Sequence, residues 1–296
     1  MLLFVSWDLL MKRRRLRLSV QIMRVLFRAV AAVWPGLAAA QVYRIWFKSP
    51  RYPESKREKM WREAASNPIY PIAGQAISVY QWGECTSGYV LLIHGWSGRG
   101  TQLAGFVDAL RKVGLGVLSF DAPGHGRSEG TSTNIYQFAN VVNELAKEYG
   151  VPTAIVSHSF GGMVAALAIQ RYQLMVDKLV MISCPMDTHY LIAGYQRYLD
   201  FNDRVMKLFE TKIFSNLSQT FYDDTLVEVN LKKHPLATFI IHDKEDRIVS
   251  YQQSEKISVA LPDAKVLFTN GLGHARILRD KTVIKQVVEF IKIEIT

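Results

Sequence analysis

Three side chains in this sequence are of types that together can move a proton and form a covalent bond: Ser159, Asp246 and His274. A serine hydroxyl is a weak nucleophile until a neighbouring base takes its proton, and imidazole is the side chain whose basicity suits that task near neutrality. A carboxylate on the far ring nitrogen would hold the imidazole in the tautomer that accepts the proton. The three occur in the order Ser, Asp, His, with gaps of 87 and 28 residues. Chymotrypsin-like and subtilisin-like proteases carry the same residue types in other orders.

Ser159 sits between Ala154-Ile155-Val156, which reads as the end of a buried strand, and residues 164–169, which are good helix formers. With Gly161 two places on, this matches a nucleophile elbow. The serine oxygen projects from the sheet, and the helix N-terminus points N–H groups at developing negative charge. The usual pattern is G-x-S-x-G; here Ser157, the next smallest choice, replaces the first glycine. Ser157 is itself a weak rival nucleophile, because no glycine trails it at the right distance.

A second turn, His94-Gly95-Trp96-Ser97-Gly98-Arg99-Gly100, also follows a buried strand. It can offer the Trp96 N–H to an oxyanion, with the Phe160 N–H as second donor; a plain strand-to-helix turn is the alternative. Asp243 and Asp246 compete for the acidic role after the strand near 237–241. Asp246 fits better, since Asp243 would leave almost no loop to reach across, although both also suit turn or helix-capping roles. His274 lies between glycines, in Gly271-Leu272-Gly273-His274-Ala275, on a loop after the last strand. His158 and His125 read as structural, and His94 as a hydrogen-bonding partner of the oxyanion turn.

These residues need a scaffold that alternates strand and helix. Strands are predicted at 77–82, 89–93, 116–120, 153–157, 178–182, 237–241 and 265–268. Helices are predicted at 102–113, 135–149, 159–172, 252–260 and 281–295. That rhythm is the mark of an α/β chain with a mostly parallel sheet covered on both faces. The expected layout is an N-terminal extension at 1–48, a linker with one short helix at 49–76, a core at 77–184 and 236–296, and a cap inserted at 185–235. The insertion carries eight Tyr and Phe residues between Tyr190 and Tyr222. They read mainly as its own core, with some apolar wall left facing Ser159, which favours an acyl or other hydrophobic substrate group.

At 296 residues, 49% hydrophobic and 21% charged, the composition is ordinary for one large domain. The net charge of +10 is concentrated: residues 1–48 hold nine Lys and Arg against Asp8 alone, so the body carries almost none of it. No bulk charge draws the body to nucleic acid. Cys85 and Cys184 have no metal-ligand spacing and read as reduced thiols. No cofactor or metal is implied.

Within the extension, a basic cluster at 12–17 precedes a helical stripe of Arg17, Gln21, Arg24 and Arg28, with apolar residues covering the rest. The apolar run at 29–40 is too short to span a bilayer and contains Pro35. Three readings stay open, with membrane-surface contact through residues 12–47 first, a helix packed on the body second, and a cleaved signal peptide third. The first implies a cytoplasmic protein, peripheral on the inner face of the membrane. The start could also lie at Met11 or Met23.

Taken together, the elbow, the oxyanion turn and the Ser–Asp–His order resemble the α/β-hydrolase superfamily. Residues 120–130, FDAPGHGRSEG, strengthen this, being similar to its D-x-x-G-H-G-x-S loop, and HGWSGRGT at 94–101 resembles a group of bacterial hydrolases with a basic N-terminal extension. The resemblance covers residues 75–296. It implies the α/β-hydrolase fold with a small helical cap, and a serine esterase or lipase-like enzyme whose triad is Ser159, Asp246 and His274. It does not carry over a substrate. Thioester, amide or carbon–carbon bond hydrolysis, and a non-catalytic binding protein on the same fold, stay open beside ester cleavage.

Overall fold

In the computed structural model, which describes residues 18–234 and 236–292, the apolar β-branched runs form the middle of one eight-stranded sheet. Its strands are β1 (Ile69–Ile72), β2 (Gln75–Trp82), β3 (Tyr89–Ile93), β4 (Gly116–Phe120), β5 (Ala154–His158), β6 (Lys178–Ile182), β7 (Ala237–Asp243) and β8 (Lys265–Thr269). They lie in the order β1-β2-β4-β3-β5-β6-β7-β8. The β1–β2 and β2–β4 pairings are antiparallel, and all pairings from β4 to β8 are parallel. Every residue of β3, β4 and β5 is buried, as parallel strands covered on both faces require.

The helices before β1 are α1 (Leu18–Val33), α2 (Pro35–Trp46) and α3 (Lys56–Glu63). Between β3 and β4 come a 3₁₀ segment (Gly100–Phe106) and α4 (Val107–Arg111). The main crossover helices are α5 (Ile135–Tyr149) and α6 (Phe160–Tyr172). Between β6 and β7 lie α7 (Thr188–Leu199), α8 (Asp203–Asn216), α9 (Phe221–Asp224) and α10 (Val227–Lys232). The last are α11 (Gln252–Ala260), α12 (Gly273–Arg276), a short 3₁₀ turn (Ile277–Arg279) and α13 (Lys281–Ile291).

Side chains alternate across β3: Leu91 and Ile93 join the core under α5 and α6, while Val90 and Leu92 join the one under α4 and α13. Helix starts are set by side-chain caps. Asn134 and Gln137 close a capping box at α5, and Asp187, Asn202 and Asp280 cap α7, α8 and α13.

Two expectations need correction. The stretch 49–76 holds α3 and also β1, so the sheet starts before residue 77. β1 is a short edge strand, only Ile72 of its four residues is buried, and Pro71 cannot donate to a ladder, so it lacks the apolar alternation of an inner strand. The predicted helix at 102–113 is a 3₁₀ segment followed by a five-residue α-helix. Asp121 Oδ1 accepts the Gly100 N–H at 2.8 Å, pinning the first turn to the end of β4 and winding it tightly. The last four residues of the predicted 281–295 helix include positions outside the described residues, as does the 12–17 basic cluster.

The N-terminal helices lie on the α7–α10 insertion. Ala38, Ala39 and Val42 of α2 are fully buried, their small side chains letting α2 approach α8 closely. Trp46 closes the contact, its ring 5.0 Å from Tyr195 and 6.1 Å from Phe209. Arg24 donates to the Tyr198 carbonyl and Arg28 pairs with Asp200. Among the described residues no helix is long and apolar enough to cross a membrane.

Candidate active site

The sheet order reverses between β3 and β5: the chain leaves β3 for β4 on one side and returns to β5 on the other. A crevice therefore opens at the carboxyl ends of those strands, which is where open α/β sheets bind ligands. Two turns emerge there side by side, residues 94–98 after β3 and Ser159 after β5.

Ser159 has φ 53° and ψ −126°, a conformation that residues with a Cβ avoid and that stores roughly 1–3 kcal/mol. The surroundings enforce it. The Ser159 N–H is bonded to the Ile182 carbonyl at 2.8 Å, and the Gly162 N–H reaches back to the Ser159 carbonyl at 2.9 Å. The following glycines are required by close approach: a Cβ on Gly161 would lie 2.6 Å from the Ile93 and His94 carbonyl oxygens, and one on Gly162 would lie 2.4 Å from Cys184 Sγ. Ser157 points away and donates to the Val180 carbonyl, which removes it as a rival nucleophile.

His274 and Asp246 are brought together. His274 Nδ1 lies 2.7 Å from Asp246 Oδ2, and the carboxylate is wholly buried. Asp246 Oδ1 accepts the Ile248 and Val249 N–H groups at 2.8 and 3.1 Å. Burial alone would raise the Asp246 pKa, but the hydrogen bonds from His242, His274 and the Ile248 N–H outweigh it and hold the carboxyl well below the usual range. Asp246 is thus an anion facing the ring. Asp243 does other work: it accepts from the Thr269 hydroxyl and from the Leu272 and Glu245 N–H groups, and so shapes the loop that carries His274.

One residue escaped the sequence reading. His242 Nε2 faces both Asp246 Oδ2 at 3.2 Å and the Val249 carbonyl at 3.0 Å, while its Nδ1 meets Ser254 Oγ at 2.7 Å. Two acceptors on Nε2 require the proton there, so His242 is a second N–H donor to the carboxylate. It lies next to Asp243 at the end of the same strand, where only the acidic residues suggested chemistry.

Three further histidines hold the frame. His94 Nε2 accepts the Ala122 N–H and its Nδ1 donates to the Gly95 carbonyl; His125 Nε2 accepts the Ser97 N–H. Burial pushes their pKa values down to about 4 and about 3, which keeps both neutral and able to accept. His158 Nε2 donates to the His274 carbonyl at 2.9 Å, with the two rings 4.5 Å apart, and burial lowers its pKa to about 3. The turn they support brings Gly95 against the serine, so that a Cβ there would be 3.0 Å from Ser159 Cβ. The next N–H is that of Trp96, and among the described residues neither it nor the Phe160 N–H has a protein acceptor.

A cavity of about 500 Å³ opens over Ser159, His158 and His274. Thr188, Leu191, Tyr195 and Leu199 of α7 line one wall. The sequence reading missed the part of the lining that comes from the N-terminal extension, Ile45 and Trp46 at the end of α2 with Phe47 and Pro50 after it. The aromatic run at 43–47 was its visible trace. Among the described lining residues there is no Asp or Glu. Nor do the described residues gather three or more His, Cys, Asp or Glu side chains as a metal site.

Comparison with known proteins bears on the family and the fold. A family model described as serine aminopeptidase, S33, matches residues 84–236. The human serine hydrolase-like protein is 27% identical over 115 residues, a match covering 37% of this chain and 56% of that relative, so the chain spans about half its length. Among solved structures, the Pyrococcus furiosus esterase Pf2001 superposes with TM-score 0.62 at 18% identity, covering 83% of this chain and 96% of its own. A membrane phospholipase A, described as a bacterial virulence factor, superposes with TM-score 0.61 at 21% identity, covering 92% of this chain and 97% of its own. At such identities the likeness to the solved structures shows the fold alone.

Proposed function

Because the chain belongs to the serine aminopeptidase S33 family of α/β-hydrolases, we propose that it is a serine hydrolase cleaving lipophilic carboxylic esters through Ser159, His274 and Asp246. The observation that carries the ester reading is the pocket wall. A peptide N-terminus is a cation, and burying it beside Ser159 would call for a carboxylate partner. The described lining offers none and is instead mostly aromatic and aliphatic, with Trp46, Leu191, Tyr195 and Leu199 in it, chemistry that suits an acyl chain. The lipase-like and esterase-like folds among the neighbours are compatible with this and do not decide it.

In the proposed cycle, His274 Nε2 takes the Ser159 proton as Oγ attacks the ester carbonyl carbon. Asp246, anionic and buried, keeps the proton on His274 Nδ1 and stabilises the imidazolium. The oxyanion is received by the Trp96 and Phe160 N–H groups, fixed before the substrate arrives, which is what makes such donors effective. His274 then protonates the departing alkoxide, leaving the acyl group on Ser159. A water, deprotonated by the same ring, attacks that acyl group, and the acid departs with Ser159 restored.

Labelling by a fluorophosphonate probe, in wild type and Ser159→Ala, tests the nucleophile; p-nitrophenyl esters against amino-acid p-nitroanilides test the substrate class. The expected result is labelling lost in the variant, with esters turned over far faster than anilides. Labelling that survives Ser159→Ala would remove the proposed nucleophile, and anilides outpacing esters would replace the ester reading with an aminopeptidase one.

A further inference from the structure

The helix pair α1–α2 is apolar on two sides, and the protein uses only one of them. On the inner side Met23, Phe27 and Val30 pack against the core, with Phe27 6.4 Å from Phe201. On the outer side Ile22, Val25, Leu26, Val33, Trp34 and Leu37 are 51–64% exposed. They are six of the fourteen large apolar side chains exposed among the described residues, gathered into sixteen positions. Positions 22, 25, 26 and 33 follow the spacing of one helical stripe, and Trp34 and Leu37 carry it past the joint between the helices. A contiguous patch of this kind marks a surface with a partner.

Charge identifies the partner. The sequence just before α1 reads Lys12, Arg13, Arg14, Arg15, Leu16 and Arg17, five cations in six positions. A basic cluster continuous with an exposed apolar stripe is the combination that seats a helix in the plane of an anionic bilayer. Among the described residues the helices are 16 and 12 residues long with Pro35 opening the second, and neither is long and apolar enough to cross the hydrocarbon. A second copy is the other occupant such a face could take, and the test below separates the two. We propose that the outer face of α1 and α2 docks on an anionic phospholipid surface, with Leu26 and Trp34 among the inserted side chains. Of the polar stripe expected from the sequence, Arg24 bonds to the Tyr198 carbonyl and Arg28, itself still exposed, pairs with Asp200. This inference does not need the ester reading, since binding is read without turnover.

The test is flotation of the full chain with vesicles of mixed phosphatidylglycerol and phosphatidylcholine, or of phosphatidylcholine alone. Wild type is expected to float with the mixed vesicles and about tenfold less with the neutral ones, and Leu26→Asp/Trp34→Asp to lower flotation by about tenfold or more. Both side chains are exposed and neither lines the cavity over Ser159, so melting temperature and turnover of a soluble ester should be unchanged. Wild type left unbound by the mixed vesicles, or floating equally with the double variant, would overturn the proposal. Equal flotation with neutral vesicles would overturn its anionic part. A wild-type dimer made monomeric by the double variant, with no flotation, would assign the face to a second copy.

Discussion

An Asp246→Asn exchange keeps the side chain's shape and changes only which of its atoms can accept a proton donor. Asp246 takes four: Ile248 and Val249 N–H on Oδ1, His274 Nδ1 and His242 Nε2 on Oδ2. The side chain is fully buried, so no bulk water can relieve a mismatch. If the amide oxygen stays on the backbone donors, the NH₂ group confronts two ring N–H groups. His274 then escapes by moving its proton to Nε2, the nitrogen that must accept from Ser159. The expected loss in kcat is about 10³–10⁴-fold, or about 4–5.5 kcal/mol of barrier, with the fold intact. If instead the oxygen faces the rings, the Ile248 and Val249 N–H groups lose their acceptor at about 1–3 kcal/mol each, and the penalty moves into the melting temperature. Initial rates on a p-nitrophenyl ester, run beside a thermal melt, separate the two. A loss under tenfold with an unchanged melt would refute the role given to Asp246.

Acid should weaken the fold before it touches the carboxylates. His94, His125 and His158 have pKa values lowered by burial to about 4, about 3 and about 3, against an unfolded value near 6.5. Below pH 6.5 the unfolded chain binds protons that the folded chain refuses, so stability present at higher pH is lost as pH falls from about 6.5 towards 4. Each histidine contributes up to about 1.4 kcal/mol per pH unit, about 4 kcal/mol for the three. Asp246, its pKa depressed, adds to the loss only below the ordinary carboxylate range. A urea midpoint that stays flat between pH 7 and pH 5 would contradict this. At the elbow, Gly162→Ala would put a Cβ 2.4 Å from Cys184 Sγ, and such overpacking costs about 1–3 kcal/mol. In a thermodynamic cycle with Cys184→Ala the two changes should couple by about 1 kcal/mol or more; simple additivity would show that the contact is not what constrains the site.

How far the sequence can be read depends on whether a feature is stated by neighbours along the chain or by neighbours across the fold. The elbow is local in its pattern: an apolar strand, Ser159 and the Gly161-Gly162 pair follow one another along the chain, although what demands the glycines, the Ile93 and His94 carbonyls and Cys184 Sγ, comes from neighbouring strand ends. The His274–Asp246 pair is not local, yet each residue follows closely on a strand of one parallel sheet, Asp246 in the turn after β7 and His274 in the short helix α12 after β8 where a loop was expected, so strand order alone delivers both to the same edge. His242 could not be found that way. Its ring meets Asp246 only because the chain turns back after β7, with the Asp246 N–H on the Asp243 carbonyl at 3.0 Å. Helix α1 shows the same limit. Spacing revealed the apolar residues around Arg17, Gln21, Arg24 and Arg28, but only packing separates Met23, Phe27 and Val30, which the protein covers, from Ile22, Val25 and Leu26, which it leaves exposed.

That division bears on the site, because the extension is tied into it at its far end. Lys48 bridges to Ser132, the Ser49 N–H is bonded to the Thr131 carbonyl at 3.1 Å, and the Thr133 N–H to the Phe47 carbonyl at 2.9 Å. Residues 45–47 therefore reach the pocket with their backbone fixed to the segment that leads into Asn134, the cap of α5 and itself a lining residue. Trp46 is also held from the other side by Tyr195 and Phe209. A tilt of α2 on a lipid surface would have to carry this wall with it or break those bonds. The helix spans about 18 Å at 1.5 Å per residue, so a side chain at the lipid face and one at the pocket wall belong to a single rigid body.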